Sequence, residues 1–307
     1  MTSENKTVFQ IFIDSAGIYA KHLPEFIKYM SFPVFGQIIG IILSFALSLG
    51  YAYTIGASMS DATLSFGITM LLAIPGLIIF TKAFWEYLVA YVALNSMTEN
   101  TIKSGRIYDI SSHKKVATSS KRIGEFITLW LLFGLFTIVS IFPPMWIISA
   151  VVFVFLVLLF QVFTFEKNMS AVECFKRSAK LVSADFWKTA GMLIIIGVFS
   201  YFLLPKLVEF ILGVLQIVKL FIFLLDPIVA KMLPIAEWNE KFAILNIPYM
   251  ITSLDFTKMI LSSIISGLVI CFTLPLRSIC WTLWYKQLCV NEIKAKSKKK
   301  KAKSDDV

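Results

Sequence analysis

The residues best placed to do chemistry in this sequence are three charged side chains at the edges of apolar stretches: Lys82, Glu86 and Arg277. Lys82 and Glu86 are four positions apart, so on a helix they share a face and can form an ion pair. Beside a membrane, such groups either anchor a helix at its depth or mark a site for a headgroup or solute. Two interpretations are open: separate anchors, or a polar cluster in which Glu86 bridges Lys82 and Arg277.

Residue patterns typical of catalysis or metal binding are not found in the sequence. His22 and His113 are isolated, and the four cysteines lack CxxC and CxxxH spacing. A Walker loop, a dinucleotide-binding fingerprint and the GxSxG and HExxH motifs are also missing. We therefore expect no catalytic residue, no metal site, no cofactor and no enzymatic activity.

The composition excludes a soluble protein. Of the 307 residues, 58% are hydrophobic and only 16% are charged, and the mean hydropathy is +0.79. A soluble domain carries roughly 25% charged and 45–50% apolar residues, so a globule of this composition would leave much apolar surface in water. The sequence predicts an all-α, polytopic membrane protein.

Six stretches are long and apolar enough to span a bilayer, which takes about 20 helical residues. They are 33–53, 64–82, 126–142, 145–165, 189–208 and 259–276. Pro75-Gly76 predicts an interruption and bend in the second stretch, and Pro143-Pro144 predicts a tight turn, because proline does not easily continue a helix. The predicted fold has about six transmembrane helices plus interfacial amphipathic helices.

The basic residues fall on one side of these predicted spans. Of the 29 Lys and Arg residues, 22 lie in four segments: 1–31, 98–122, 166–188 and the chain from Lys286. The short link 52–63 contains none. Because Lys and Arg concentrate in cytoplasmic segments, both termini and the loops 98–122 and 166–188 are predicted to be cytoplasmic. The lysine-rich end, 289–307, is predicted to be a disordered cytoplasmic tail.

The stretch 209–255 is predicted to be a non-cytoplasmic excursion of one or two interfacial helices. It is apolar up to Leu225, but Lys219 interrupts it, and an added span would move the C-terminal lysines to the opposite side. Breaks are predicted at Asp226-Pro227 and at 246–248, where prolines occur.

Small residues recur at every fourth position in two predicted spans: Gly36, Gly40, Ser44 and Ser48 in the first, and Ser263 and Gly267 in the sixth. This spacing places them on one helix face, where two backbones can approach closely and pack in lipid. We predict helix-packing faces there. The partner helix belongs either to the same chain or to another subunit.

Two segments predict amphipathic helices at the membrane surface. The first, in residues 1–31, has an apolar stripe of Val8, Phe12, Ala16, Tyr19, Leu23 and Phe26. The second begins with a predicted capping box, Ser170 with Glu173, and has an apolar stripe of Val172, Phe175, Ala179 and Val182. Such helices lie on lipid with their cations towards the headgroups. The alternative is a cytoplasmic helix packed on its neighbours.

The second segment also carries a family resemblance. Its run with Ser170, Glu173 and the Arg177-Ser178 pair, followed by Phe186-Trp187 before an apolar span, resembles the membrane-domain family of glycerophosphodiester phosphodiesterases and related uncharacterised bacterial inner-membrane proteins. The resemblance implies about six spans, interfacial helices and a bacterial cytoplasmic membrane. It implies no phosphodiesterase activity, because in fused members that activity belongs to a separate soluble barrel.

The sequence favours a non-enzymatic accessory or scaffold protein that contacts anionic lipid headgroups, with another membrane protein as a further partner. The alternative is a small-solute or lipid transporter or channel, which would need a polar site near the membrane midplane. Gln161 is a lone polar residue in the fourth span, expected to make a helix–helix hydrogen bond. Nucleic acid is not expected as a partner, because no aromatic residues interleave the lysines of the tail.

Overall fold

A computed structural model describes residues 6–305 apart from 57, 58, 60, 108, 109, 247 and 249. The described residues form helices and no strand. The helices are α1 (Val8–Lys21), α2 (Leu23–Thr54), α3 (Ala62–Ser104), α4 (Ile110–Thr118), α5 (Ile123–Val139), α6 (Trp146–Leu156), α7 (Leu159–Phe165), α8 (Ala171–Ser183), α9 (Phe186–Gly197), α10 (Leu204–Val214), α11 (Ile217–Met232), α12 (Ile235–Ile244), α13 (Ser253–Phe272) and α14 (Leu274–Asp305).

Five helical runs are long and apolar enough to cross a membrane: Leu23–Thr54, Ala62–Ser104, Pro143–Phe165, Phe186–Val214 and Ser253–Ser297. A sixth is added if α4 and α5, which meet at 74°, form one bent span. Each of the six predicted stretches lies within or largely overlaps one of these runs. The all-α polytopic fold is therefore confirmed.

α3 extends far beyond the predicted span that it contains. Pro75 lies inside the helix, which continues across it to Ser104. The predicted interruption is not seen, because a proline removes only one backbone hydrogen bond and α2 packs against this turn, where Ser44 Oγ donates to the Ala73 carbonyl at 2.9 Å. The helix ends at Gly105, whose φ of 71° suits glycine.

The stretch 209–255 contains two whole helices, α11 and α12, together with the end of α10 and the first residues of α13. The predicted break at Asp226-Pro227 is wrong, because both residues lie inside α11, where the Asp226 carboxylate accepts a hydrogen bond from Thr257 at 3.2 Å. The chain turns instead at Gln216, with a φ of 61°. At the other predicted break, Asn246 has a φ of 53°, and residue 247 lies outside the described residues.

In the described part of the predicted disordered tail, 289–305, the chain is helical, since α14 continues to Asp305. Lysine and alanine are good helix formers, and the buried first turns of α14 supply the nucleus that an isolated helix would lack. Propagation of an existing helix therefore accounts for the difference.

The chain forms two compact units. One contains the described residues up to Ile194 together with those from Leu274, and the other is Ile195–Thr273. In the second unit, α10 and α11 pack against α13, and Leu261 and Ile265 of α13 are buried.

The part of α3 that lies in the core of the first unit is beyond the most apolar stretch of that helix. Only 6% of the most apolar stretch of α3 is buried, whereas the later part of the helix, from Ala83 to Thr101, contains most of its buried residues. Against α3 pack α4, α7 and α14, while α1 packs on α14 and α8 packs on α7 and α14. We call this set, with α3 from Ala83 onward, the flanking bundle. The apolar faces outside it remain exposed and suit contact with lipid.

Aromatic rings join α5 to the flanking bundle. Trp85 of α3 meets Phe126 of α5 edge to face, with ring centroids 5.7 Å apart. Trp130 of α5 packs between Tyr91 at 5.2 Å and Phe160 at 4.7 Å. These contacts fix the position at which α5 leaves the flanking bundle.

Candidate functional site

The centre of the flanking bundle is a cluster of uncharged polar side chains around Asn95, which is fully buried. Its amide nitrogen donates to Thr164 Oγ1 at 3.1 Å. Its amide oxygen accepts from Gln161 Nε2 at 3.1 Å, from Ser278 Oγ at 2.6 Å and from Thr282 Oγ1 at 3.4 Å. The cluster joins α3, α7 and α14 through hydrogen bonds that replace water.

A charged brace lies beside this cluster and joins α8 to α14. Arg177 Nε donates to both Glu166 oxygens, at 2.8 and 3.1 Å, and its Nη2 lies 2.9 Å from Glu292. Tyr285 Oη donates to Glu166 at 3.0 Å. Burial by itself lowers the pKa of Arg177, but the hydrogen bonds to Glu292 and Glu166 outweigh it and raise that pKa above its ordinary value. We call Glu166, Arg177, Tyr285 and Glu292 the brace.

Arg177 was identified in the sequence through the family resemblance, whereas its partners were not. Glu166 follows α7 directly and Glu292 lies far along α14. No helical spacing relates either carboxylate to Arg177, because the contacts depend on how three helices fold together. The one sequence feature that pointed to Glu166 was its position at the end of an apolar run.

The three charged residues singled out in the sequence are not joined to one another by ion pairs in the described part of the chain. Glu86 instead pairs with Lys114 of α4, at 2.6 Å, because α4 folds back along α3. Lys82 Nζ lies over the Phe32 ring, 5.7 Å from its centroid. Arg277 is buried in α14. The predicted bridge by Glu86 is therefore wrong.

The first small-residue face packs against α3. A Cβ on Gly36 would lie 2.7 Å from Ala83 Cβ, and one on Gly40 would lie 2.7 Å from the Gly76 carbonyl oxygen. Ser44 adds its hydrogen bond to α3. Ser48 instead donates to a carbonyl of its own helix, at 2.6 Å. The close contact thus involves the first three members of the face.

The second small-residue face has no such neighbour. Ser263 and Gly267 are exposed, and within the described residues no atom lies within 4 Å of a Cβ placed on Gly267. α13 packs through Leu261 and Ile265 instead, because larger apolar side chains bury more surface. Of the two partners left open by the sequence, a helix of the same chain is not found at Gly267 among the described residues, and packing against another subunit stays a prediction.

The capping box of α8 is confirmed. Glu173 N–H donates to Ser170 Oγ at 3.3 Å, and the Glu173 carboxylate accepts from the Ser170 backbone at 2.8 Å. That backbone hydrogen bond lowers the pKa of Glu173. The buried face of α8, however, only partly matches the predicted stripe: the predicted Val182 is buried, but so are Ala171, Cys174, Ser178 and Leu181, and Val172 is 52% exposed.

The difference arises because α8 packs on α6 and α7. Ser178 Oγ donates to the Phe155 carbonyl at 2.7 Å, and Phe186 packs on the Phe155 ring at 5.1 Å. Trp187 remains 83% exposed. α1 is similarly packed, against α14. Both amphipathic helices therefore pack on neighbouring helices, and their contact with lipid stays a prediction.

Within the described ranges, no three His, Cys, Asp or Glu side chains are grouped so that they could hold a metal ion. No family model, curated protein or solved structure matches this chain. The family resemblance of the segment around Arg177 stays a prediction.

Proposed function

We propose that this chain is a non-enzymatic accessory or scaffold protein of a bacterial cytoplasmic membrane, with both termini on the cytoplasmic side. The observation that carries the proposal is the brace. Arg177 binds two carboxylates from different parts of the chain, so the charges that a solute site would present are used to hold helices together. Because these charged groups pair with one another, the network favours a rigid scaffold over a transport pathway that must change conformation.

The uncharged cluster around Asn95 supports the same interpretation. Gln161, the polar residue expected of a transport site, is 4% exposed and donates to Asn95. It therefore joins two helices. The predicted spans 33–53, 126–142 and 145–165 contain no Asp, Glu, Lys or Arg, which leaves few groups for binding a solute at the midplane.

The distribution of cations supports the proposed orientation. The flanking bundle and the loops within it contain most of the basic residues, and such segments are retained on the cytoplasmic side. The proposal therefore places the flanking bundle at the cytoplasmic face of the membrane, where a partner protein or anionic headgroups can reach it.

We also propose membership of the membrane-domain family that the sequence resembles. Three residues of the resembling segment have structural roles here: Ser170 and Glu173 cap α8, and Arg177 forms the brace. These roles concern the stability of a helix at the membrane surface. They support a shared architecture without implying a shared reaction.

The test is purification of the full chain in patches of native lipid, with identification of the proteins that accompany it. We expect a membrane protein to co-purify with the wild type and with Lys176→Gln, an exposed neighbour of the brace. Arg177→Gln should lose this partner while still inserting in the membrane. The proposal is contradicted if no protein is enriched and liposomes containing the chain gain a solute flux that Gln161→Leu abolishes.

A further inference from the structure

A cavity of about 420 Å³ lies among α3, α4, the turn before α5 and the segment after α7. Four cations from three of these elements line it: Lys115, Lys121, Arg122 and Lys167. The hydroxyl of Thr164 also lines it. We call this space the basic cavity. Because cations of separate elements converge on a concave surface, their fields add and attract an anion.

The basic cavity has little negative charge of its own. Its one lining carboxylate is Glu99, which already pairs with Lys103 at 3.0 Å and with Lys286 at 3.3 Å. Among the described residues, no carboxylate pairs with Lys115, Lys121 or Lys167. The positive charge of the cavity is thus not neutralised within the described chain.

Arg122 is held in place at the wall of the basic cavity. Its Nη2 donates to the Phe163 carbonyl, and its guanidinium lies 4.0 Å from the centre of the Phe163 ring. A guanidinium has five N–H donors, so this bond leaves others for a ligand. A fixed, planar donor group is well suited to two oxygens of a phosphate.

The basic cavity lies where two apolar helices end. Arg122 directly precedes α5, and Lys167 follows α7 by two residues. If these helices cross the bilayer, both residues lie at its surface, in the layer of lipid headgroups. Three lysines there attract an anionic leaflet more strongly than isolated surface lysines, because they surround one space.

We propose that the basic cavity is a binding site for a phosphate group carried by a small anion or a lipid headgroup at the membrane surface. Arg122 contributes directional hydrogen bonds and the three lysines contribute charge. The inference rests on the proposed function only in placing this face at the cytoplasmic leaflet.

The experiment uses the full chain purified alone in detergent and titrated with phosphatidylglycerol, and native mass spectrometry counts the bound lipids. We expect one saturable lipid per chain. Lys121→Gln with Lys167→Gln should weaken this binding by about tenfold or more. The control pair, Lys176→Gln with Lys180→Gln, removes the same charge from the exposed face of α8 and should leave it unchanged.

Calorimetry with inorganic phosphate separates the two sources. If the wild type binds inorganic phosphate and the cavity variants do not, the site is assigned to a free phosphate. If the wild type binds the lipid but not inorganic phosphate, the site is assigned to a headgroup. Equal weakening by the cavity pair and the control pair, or failure of both probes to bind, overturns the proposal. Because the chain is tested alone, this outcome is independent of whether a partner protein co-purifies.

Discussion

The contact between α2 and α3 gives a quantitative test of the packing. A Cβ on Gly40 would lie 2.5 Å from the Phe80 backbone nitrogen and 2.7 Å from the Gly76 carbonyl oxygen. Both are backbone atoms, so no side-chain rotation relieves the overlap. To restore an ordinary contact of about 3.5 Å, the helices must separate by about 1 Å.

The cost of this separation follows from three contributions. Overpacking costs about 1–3 kcal/mol, and weakening the bond from Ser44 to the Ala73 carbonyl, now 2.9 Å, costs about 0.6 kcal/mol. The higher helix propensity of alanine returns about 1 kcal/mol. Gly40→Ala should therefore lower the free energy of unfolding by about 0.6–2.6 kcal/mol.

The assay is reversible unfolding of the purified chain in mixed micelles of increasing SDS content, followed by tryptophan fluorescence. Gly50→Ala is the matched control on the same helix, because no described atom lies within 4 Å of a Cβ there. It should be neutral or slightly stabilising. If Gly40→Ala unfolds at the same SDS content as Gly50→Ala, the proposed close contact is refuted.

Three further outcomes are expected. Asn95→Leu removes the shared partner of four buried side chains and should lower the free energy of unfolding by about 2–4 kcal/mol; an unchanged unfolding curve would contradict the role of the cluster. Glu173→Gln should lower thermal stability at neutral pH but not at acid pH, because the native pKa of Glu173 is lowered. Its carboxylate therefore stabilises the fold at pH values above its ordinary pKa, and this contribution is lost as the pH falls through its lowered native pKa. A difference in thermal stability between the wild type and the variant that stays constant with pH would argue against this role. Burial raises the pKa of Cys174 to about 11, so maleimide should label this thiol at pH 8 only after the chain unfolds. Rapid labelling of the native chain would show that α8 is not packed as described.

The positions of the apolar helices were predictable because burial in lipid depends on local composition. A stretch such as 145–165 contains enough apolar residues to span a bilayer whatever its neighbours are. The same reasoning does not locate the ends of helices. α3 continues past Lys82 because the following residues pack on other helices, and that stabilisation depends on residues far away in the sequence.

The candidate site was less predictable because its contacts join distant segments. One of the two interpretations paired Glu86 with Lys82 along its own helix, yet Glu86 pairs with Lys114 of α4. The spacing of Gly267 matches that of Gly40, but only Gly40 has a helix against it. A small residue permits close approach and does not supply the neighbour. Pairing and packing are therefore properties of the whole fold.

The length of α3 has a mechanical consequence. Its 43 residues make a rod about 65 Å long, roughly twice the thickness of the hydrocarbon layer. About half of the rod must therefore project from that layer. A change in membrane thickness can change the tilt of the helix, and a change of about 10° would displace the projecting end by about 6 Å.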